Sequence, residues 1–275
     1  MVYFISALFV VALCVGAYLF AIAPSRRKAV YFPYNTPYIA HRGLFDNRGQ
    51  APENSMAAFR HAVECGYGIE LDIQKTKDDK LVVFHDETLE RMCGVGRVLS
   101  ECTFEEIANL HLAESEETIP LFADFLAMVD GAVPLIVEIK PDGEWAKTTQ
   151  MVLELLKNYN GAYCIESFNP RVIGIVRREA PYVTRGQLSS NYFKDEPQMG
   201  WCKKFVLTNL MMNFISRPDF VAYDHHCHNQ FSYRVLKRVF GCINVCWTIK
   251  SQAELEEAKR HFDSFIFDSF IPDRR

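Results

Sequence analysis

Seven side chains in this sequence have the types and spacing to do chemistry together: His41, Arg42, Glu70, Asp72, His85, Glu138 and Lys140. Glu70 and Asp72 are two apart in the apolar run 69–73, so in an extended chain both project from one face. Glu138 and Lys140 repeat that spacing at the end of 135–139, His41-Arg42 closes 38–40, and His85-Asp86 closes Leu81-Val82-Val83-Phe84. Singly, each has an ordinary explanation, a hydrogen-bonded strand-end histidine or a structural ion pair. Together they are a group of charges at the ends of apolar strands, costly to bury without partners or a metal, and that conjunction favours a functional site.

The residue types set the chemistry. Three carboxylates without a ligating thiolate suit a hard cation, Mg2+ or Ca2+, held through oxygen. Arg42 and Lys140 suit the non-bridging oxygens of a phosphate. Two histidines can serve as a general base for an attacking oxygen and a general acid for a leaving alkoxide. Metal, cations and paired histidines together describe hydrolysis of a phosphate diester. A carboxylate-pair glycosidase would leave the histidines, Arg42 and Lys140 without a role.

The elements that must position these groups can be read from apolar periodicity. Candidate strands fall at 38–40, 69–73, 81–84, 135–139, 163–166, 183–186, 220–223, 243–247 and 265–267, and helical patterns at 54–65, 144–157, 170–177, 232–240 and 251–259. This alternation predicts a parallel sheet, and about eight units suit a (β/α)8 barrel better than an open sheet. In a barrel the strand ends converge on one mouth, which gathers the seven residues. No glycine-rich nucleotide fingerprint argues for the open alternative. Two stretches depart from the alternation. Residues 86–120 read as an insertion between barrel strands. Residues 187–218 carry Trp201, Lys203, Lys204, Phe205, Leu210, Met211, Met212 and Phe214, a mixture compatible with a membrane surface, although an ordinary core-facing helix is the plainer reading.

Hydrophobic residues make up 49% of the 275-residue chain and charged residues 23%, enough for one sizeable core. A net charge of -4 offers no global positive field, which excludes nucleic acid as the expected partner. Nine cysteines, an odd number without a CxxC pair, predict thiols in a reducing compartment, with Cys65, Cys164, Cys242 and Cys246 as packing residues. Residues 2–23 contain no charge and would span about 33 Å as a helix, enough for a bilayer core. Ala21-Ile22-Ala23 resembles a signal-peptidase site. However, the absent basic n-region, the length of the run and Pro24 after the cut favour an uncleaved anchor. The expected organisation is a single transmembrane anchor at 1–23, a juxtamembrane linker at 24–37 and a catalytic domain at 38–275. Arg26, Arg27 and Lys28 place that domain on the cytoplasmic side.

In order and spacing, the site residues resemble the glycerophosphodiester phosphodiesterase family. The resemblance is carried by Ala40-His41-Arg42-Gly43, Pro52-Glu53-Asn54-Ser55, Ile69-Glu70-Leu71-Asp72, His85-Asp86 and Val137-Glu138-Ile139-Lys140. Weaker echoes are Ser167-Phe168, Trp247-Thr248 and Phe267-Asp268. It implies a TIM barrel with an insertion after the third strand, metal ligation by Glu70, Asp72 and Glu138, acid–base work by His41 and His85, and phosphate contact by Arg42 and Lys140. The implied products are glycerol 3-phosphate and an alcohol such as choline or ethanolamine. A lysophospholipid is the alternative substrate, and a catalytically silent tethered barrel is the opposing class, disfavoured because all seven residues are present. Lys250 departs from the family, which often has asparagine there. The segment 43–52, with Phe45, Asp46 and Arg48, is long for the family and expected to line the mouth. Asn54 reads first as a helix N-cap, and Trp247 either as a stacking surface for glycerol or choline or as core. His225-His226-Cys227-His228, read as extended chain, would point to alternate faces, which favours a rim loop over a second metal site.

Overall fold

The computed structural model describes residues 2–27 and 36–273. In chain order the elements are α1 (Val2–Ile22), β1 (Tyr38–His41), α2 (Met56–Glu64), β2 (Gly68–Lys75), β3 (Leu81–Val83), α3 (Glu90–Cys93), α4 (Phe104–Ile107) and α5 (Phe122–Val129). They continue with β4 (Leu135–Ile139), α6 (Trp145–Leu156), β5 (Tyr163–Ser167), α7 (Pro170–Glu179), β6 (Thr184–Ser189), α8 (Tyr192–Asp195), α9 (Trp201–Thr208) and α10 (Asn213–Ser216). Last come β7 (Phe220–Asp224), α11 (Phe231–Phe240), β8 (Ile243–Ile249), α12 (Gln252–Ala258) and β9 (Ser264–Phe267). Eight of the strands are parallel, and β1 pairs with both β2 and β9, which closes the sheet into a (β/α)8 barrel.

β3 is the exception. The sequence pattern places it among the barrel strands, but it pairs antiparallel with β2, Ile73 opposite Val83, and lies outside the closed ring. An apolar run does not encode strand direction, and the short 76–80 connection permits only a hairpin-like return. The return still delivers His85 to the mouth, because the Phe84 amide donates to the Asp72 carbonyl at 2.9 Å.

Strand alternation sorts the residues into two cores. Ile39, Ile136, Cys164, Leu188, Phe220, Ala222, Val245 and Ile266 fill the barrel interior. Their neighbours Ile69, Leu71, Val137, Ile139, Ile165 and Val221 face outward against the helices. Helix starts follow local chemistry: the Ser55 hydroxyl accepts from the Ala58 amide to cap α2, and the Asn169 side chain caps α7, which has Pro170 in its first turn. The stretch 86–120 builds its own small core around Val82, Phe84, Leu89, Met92, Leu99, Ile107 and Leu112, as an insertion should.

Three expectations change. The described ends of the 24–37 segment are docked rather than free, with the Ser25 amide on the Pro218 carbonyl and Pro37 accepting from Phe265; residues 28–35 of that segment lie outside the described residues. α9 is not a core-facing helix, since only Thr208 of it is buried. Among the described residues no cysteine is in a disulfide, but Cys65 is exposed at the end of α2 whereas Cys164, Cys242 and Cys246 are buried.

Inside the barrel, a Cβ added to Gly186 would meet the Phe220 ring at 2.1 Å. Gly186→Ala should therefore destabilise the barrel by about 1–3 kcal/mol through overpacking, read as a lower denaturation midpoint with an unchanged slope.

Candidate active site

The inward positions of successive strands supply the site. Register pairs His41 with Glu70, Asp72 with Glu138, and Glu138 with Glu166, so one layer at the C-terminal mouth is almost entirely ionisable. Glu70, Asp72 and Glu138 are buried, and each offers an oxygen lying within 4.8 Å of the others. Glu166, which the sequence reading did not single out, is also buried and faces the same cavity. The period-two alternation of β5, extended one step past Cys164, would have flagged it.

Two cations face these four carboxylates. The Lys140 ammonium lies 3.2 Å from Asp72 Oδ1 and 3.0 Å from Glu138 Oε1. The Arg42 Nε lies 3.3 Å from Asp72 Oδ2, its Nη1 donates to Glu53 at 2.6 Å, and its backbone amide donates to Glu70 Oε2 at 3.1 Å. The excess negative charge appears in the titration. Burial raises the Glu70 carboxyl well above the usual range, with Asp72, Glu138 and Glu166 adding to it. Burial lifts Glu138 to about 7 despite Lys140. Asp72 goes the other way: burial would raise it, but Lys140, His85 and Arg42, with a hydrogen bond from Asn54, hold it well below the ordinary value.

That Asn54 bond, 2.8 Å from Nδ2 to Asp72 Oδ2, corrects the reading of Asn54 as a cap. Ser55 caps α2, while Asn54 takes a left-handed backbone at φ 57 and its amide donates to the Arg42 carbonyl, itself at φ 55. Two non-glycine residues in that region cost free energy, and here the strain aims both side chains at one carboxylate. Gly43 follows because a Cβ there would meet the Ala58 backbone at 2.9 Å.

Each histidine is oriented by a carboxylate. His41 Nδ1 is 2.9 Å from Asp268 Oδ2, which leaves Nε2 facing Glu70 at 4.0 Å. His85 Nδ1 is 2.6 Å from Asp86 Oδ1. Burial lowers both imidazoles below their ordinary value, opposed by Asp268 for His41 and by Asp72 for His85, so both are neutral near pH 7. Behind them Arg91 bridges Asp86 and Glu53 at 2.6 and 2.7 Å. Asn47 also bonds Glu53 at 2.8 Å, so the 43–52 segment buttresses the site, and Phe45, Asp46 and Arg48 line neither mouth cavity.

Trp247 stands half-buried at the rim, edge-on to Phe168 at 5.5 Å, with its indole N–H buried and unpartnered. A cavity of about 180 Å³ holds His41, Arg42, Glu70, His85, Glu138 and Trp247 together. A second, of about 1110 Å³, shares His85, Glu138, Lys140 and Trp247 and extends to Met199, Val206, Leu207 and Met212. His225–Cys227 form one turn of 3-10 helix rather than extended chain, which brings Asp224, His225 and His226 ligand atoms within 4.8 Å of one another at the rim.

With the geometry in hand, a profile of the glycerophosphoryl diester phosphodiesterase family matches residues 41–274. The chain belongs to that family. It is 35% identical over 164 residues to the glycerophosphodiester phosphodiesterase of Caldanaerobacter subterraneus, covering 56% of this chain and 66% of that protein. It is 33% identical over 136 residues to a human lysophospholipase D, covering 45% of this chain and 41% of that protein. The match thus spans about two thirds of the length of the bacterial relative and less of the human one. An Oleispira antarctica phosphodiesterase, solved in complex with the product sn-glycerol-3-phosphate, superposes with a TM-score of 0.67 at 22% identity over 84% of this chain and 92% of that one, which supports the barrel fold.

The ring behind the site makes a testable stability claim. Burial would raise the Glu53 carboxyl, but Arg91, Arg42 and Asn47 hold it at about 2 against an unfolded value of 4.5. A depressed carboxylate contributes stability above the unfolded value that is lost as pH falls towards the folded one. Glu53→Gln should therefore cost on the order of 3 kcal/mol near neutral pH and flatten the loss of stability between about pH 5 and 2, measured by denaturant titration at each pH.

Proposed function

We propose that the protein is a metal-dependent phosphodiesterase that hydrolyses glycerophosphodiesters to glycerol 3-phosphate and an alcohol. The observation that carries this reading is the buried trio Glu70, Asp72 and Glu138 beside two carboxylate-held histidines and two cations in one cavity. The trio fits a hard divalent cation, Mg2+ or Ca2+. Four carboxylates against two cations leave charge uncompensated, and Glu166 Oε2 is buried without a hydrogen bond. When bound, such an ion supplies positive charge to the phosphoryl oxygens as the transition state develops.

The chain's own groups supply the rest. Arg42 and Lys140, both set against Asp72, bind the non-bridging oxygens. Asp268 and Asp86 fix the Nδ1–H tautomers of His41 and His85, leaving each Nε2 as the working nitrogen. One neutral imidazole takes the proton from the attacking oxygen, either water or the substrate's own 2-hydroxyl. The other, once protonated, gives a proton to the leaving alkoxide. Trp247 offers an aromatic face to the glycerol or to a cationic head group.

A second reading, a lysophospholipase D, is favoured by one observation. The larger cavity, far roomier than a glycerol head group needs, continues from the site along Met199, Val206, Leu207 and Met212, which suits an acyl chain.

Both readings are checked by product release from glycerophosphocholine, glycerophosphoethanolamine and a lysophospholipid. His41→Ala, His85→Ala and Glu70→Ala should each lower kcat/KM by about 10²-fold or more, and a chelator should abolish release that Mg2+ or Ca2+ restores. An active Glu70→Ala enzyme that ignores chelator would rule out the metal assignment. The thermal shift given by the ion should also grow from about pH 5 to pH 8, since Glu138 must lose its proton to ligate and does so only near 7.

A further inference from the structure

The packing of α1 fixes its direction relative to the mouth. Near its end, the Tyr18 hydroxyl bonds Ser232 at 2.7 Å and its ring stacks on Phe231 at 6.1 Å. These residues open α11, which follows the C-terminal end of β7 and so starts on the mouth side. One turn later, Asn213 donates to the Ile22 carbonyl at 2.9 Å, and Arg217 donates to the Phe20 and Ala23 carbonyls at 3.0 and 2.9 Å. Arg27 then reaches Asp219, at the opposite end of β7. α1 therefore descends from the mouth side, and its free portion extends past the mouth. Its last turn is built into the barrel, with Ile22 fully buried, so cleavage after Ala23 would strip a packed segment from the fold.

Exposure then sets depth. Residues 3–17 are exposed and uncharged, so the part of α1 open to lipid ends at Tyr18. For α1 to span, the bilayer boundary must lie at the level of Tyr18, and the protein surface beside Tyr18 must meet it. That surface is aromatic. Phe231 is 67% exposed, Trp201 66%, and Phe205 and Phe193 41% each. They form a continuous row: Ser232 donates to Asn209, Asn209 to the Phe205 carbonyl, Phe205 stacks on Trp201 at 5.5 Å, and Trp201 meets Phe193 at 6.3 Å. Lys194 and Lys204 flank it on the same helices, as interfacial segments require.

We infer that the row Phe193, Trp201, Phe205 and Phe231 docks into the interface of the bilayer that α1 enters, so that the barrel mouth faces the membrane. A partner protein or a second copy could use exposed aromatics too. Continuity with Tyr18, where the exposed apolar run of α1 ends, singles out lipid. The opposite side of α9 carries Lys203, Val206 and Leu207, which line the larger cavity, so α9 forms the wall between that cavity and the docked surface.

The test uses the full chain reconstituted into phosphatidylcholine bilayers whose acyl chains are brominated near the glycerol. Tryptophan emission should be quenched relative to unbrominated bilayers, and Trp201→Phe should remove most of that quenching. Equal quenching in both proteins would overturn the docking, and unquenched Trp201 in a concentration-dependent dimer would assign the row to a second copy. A second arm rests on the catalytic reading. Trp201→Ser with Phe205→Ser should slow release from lysophosphatidylcholine in vesicles about tenfold, while soluble glycerophosphocholine is hydrolysed at an unchanged rate. Equal loss on both substrates would mean that the row serves the fold and would overturn the proposal. If the unmodified protein hydrolyses neither, the catalytic reading fails and the quenching alone still decides the docking.

Discussion

Glu70, Asp72, Glu138 and Glu166 share one buried layer at the mouth of the barrel, and like charges in so little space must be compensated or protonated. Much of the surrounding structure answers that demand. Lys140 sits between Asp72 and Glu138, Arg42 and Asn54 converge on the other Asp72 oxygen, and Arg42 is braced by Glu53. The left-handed backbone at Arg42 and Asn54 is the local cost of that convergence, borne where two chain segments hold each other by an amide–carbonyl bond. What compensation the chain leaves undone is the room a divalent cation would fill.

The histidines depend on barrel closure in the same way. His41 ends β1, but the carboxylate that orients it, Asp268, follows β9, so only the β1–β9 pairing brings them together. His85 comes from outside the ring and is oriented by its own neighbour Asp86, which Arg91 in the insertion ties to Glu53. The insertion is therefore more than a loop between strands: it is the outer support of one wall of the site. Beyond the site, α8 to α10 do for the cavity what the insertion does for the histidine, forming a wall with one side towards the mouth and an aromatic side outward.

The strands, most helices and the seven charged residues were legible in the sequence, because apolar alternation and strand-end polarity are local patterns that survive without knowledge of partners. Three things were not legible for identifiable reasons. The direction of β3 depends on which strand it pairs with, and its composition says nothing of that. Glu166 was passed over, and Asp268 was noted only within the echo Phe267-Asp268 and given no role, because each is a lone acid beside apolar residues, and only register with Glu138 and pairing with His41 gives it meaning. Asn54 precedes a helix and so resembles a cap, whereas its positive φ hands the cap to Ser55 and frees its side chain for Asp72.

The sequence by itself determined the inventory: a family signature, the chemistry of its carboxylates, histidines and cations, an alternation that suits a barrel better than an open sheet, and an apolar N-terminal helix. The tertiary structure decided the relations among them. It set which carboxylates are forced together and driven to high or low proton affinity, which neighbour orients each histidine, and which way α1 runs along the barrel. Those are distances between residues far apart in the chain, and they are fixed by strand register and helix packing rather than by any local preference.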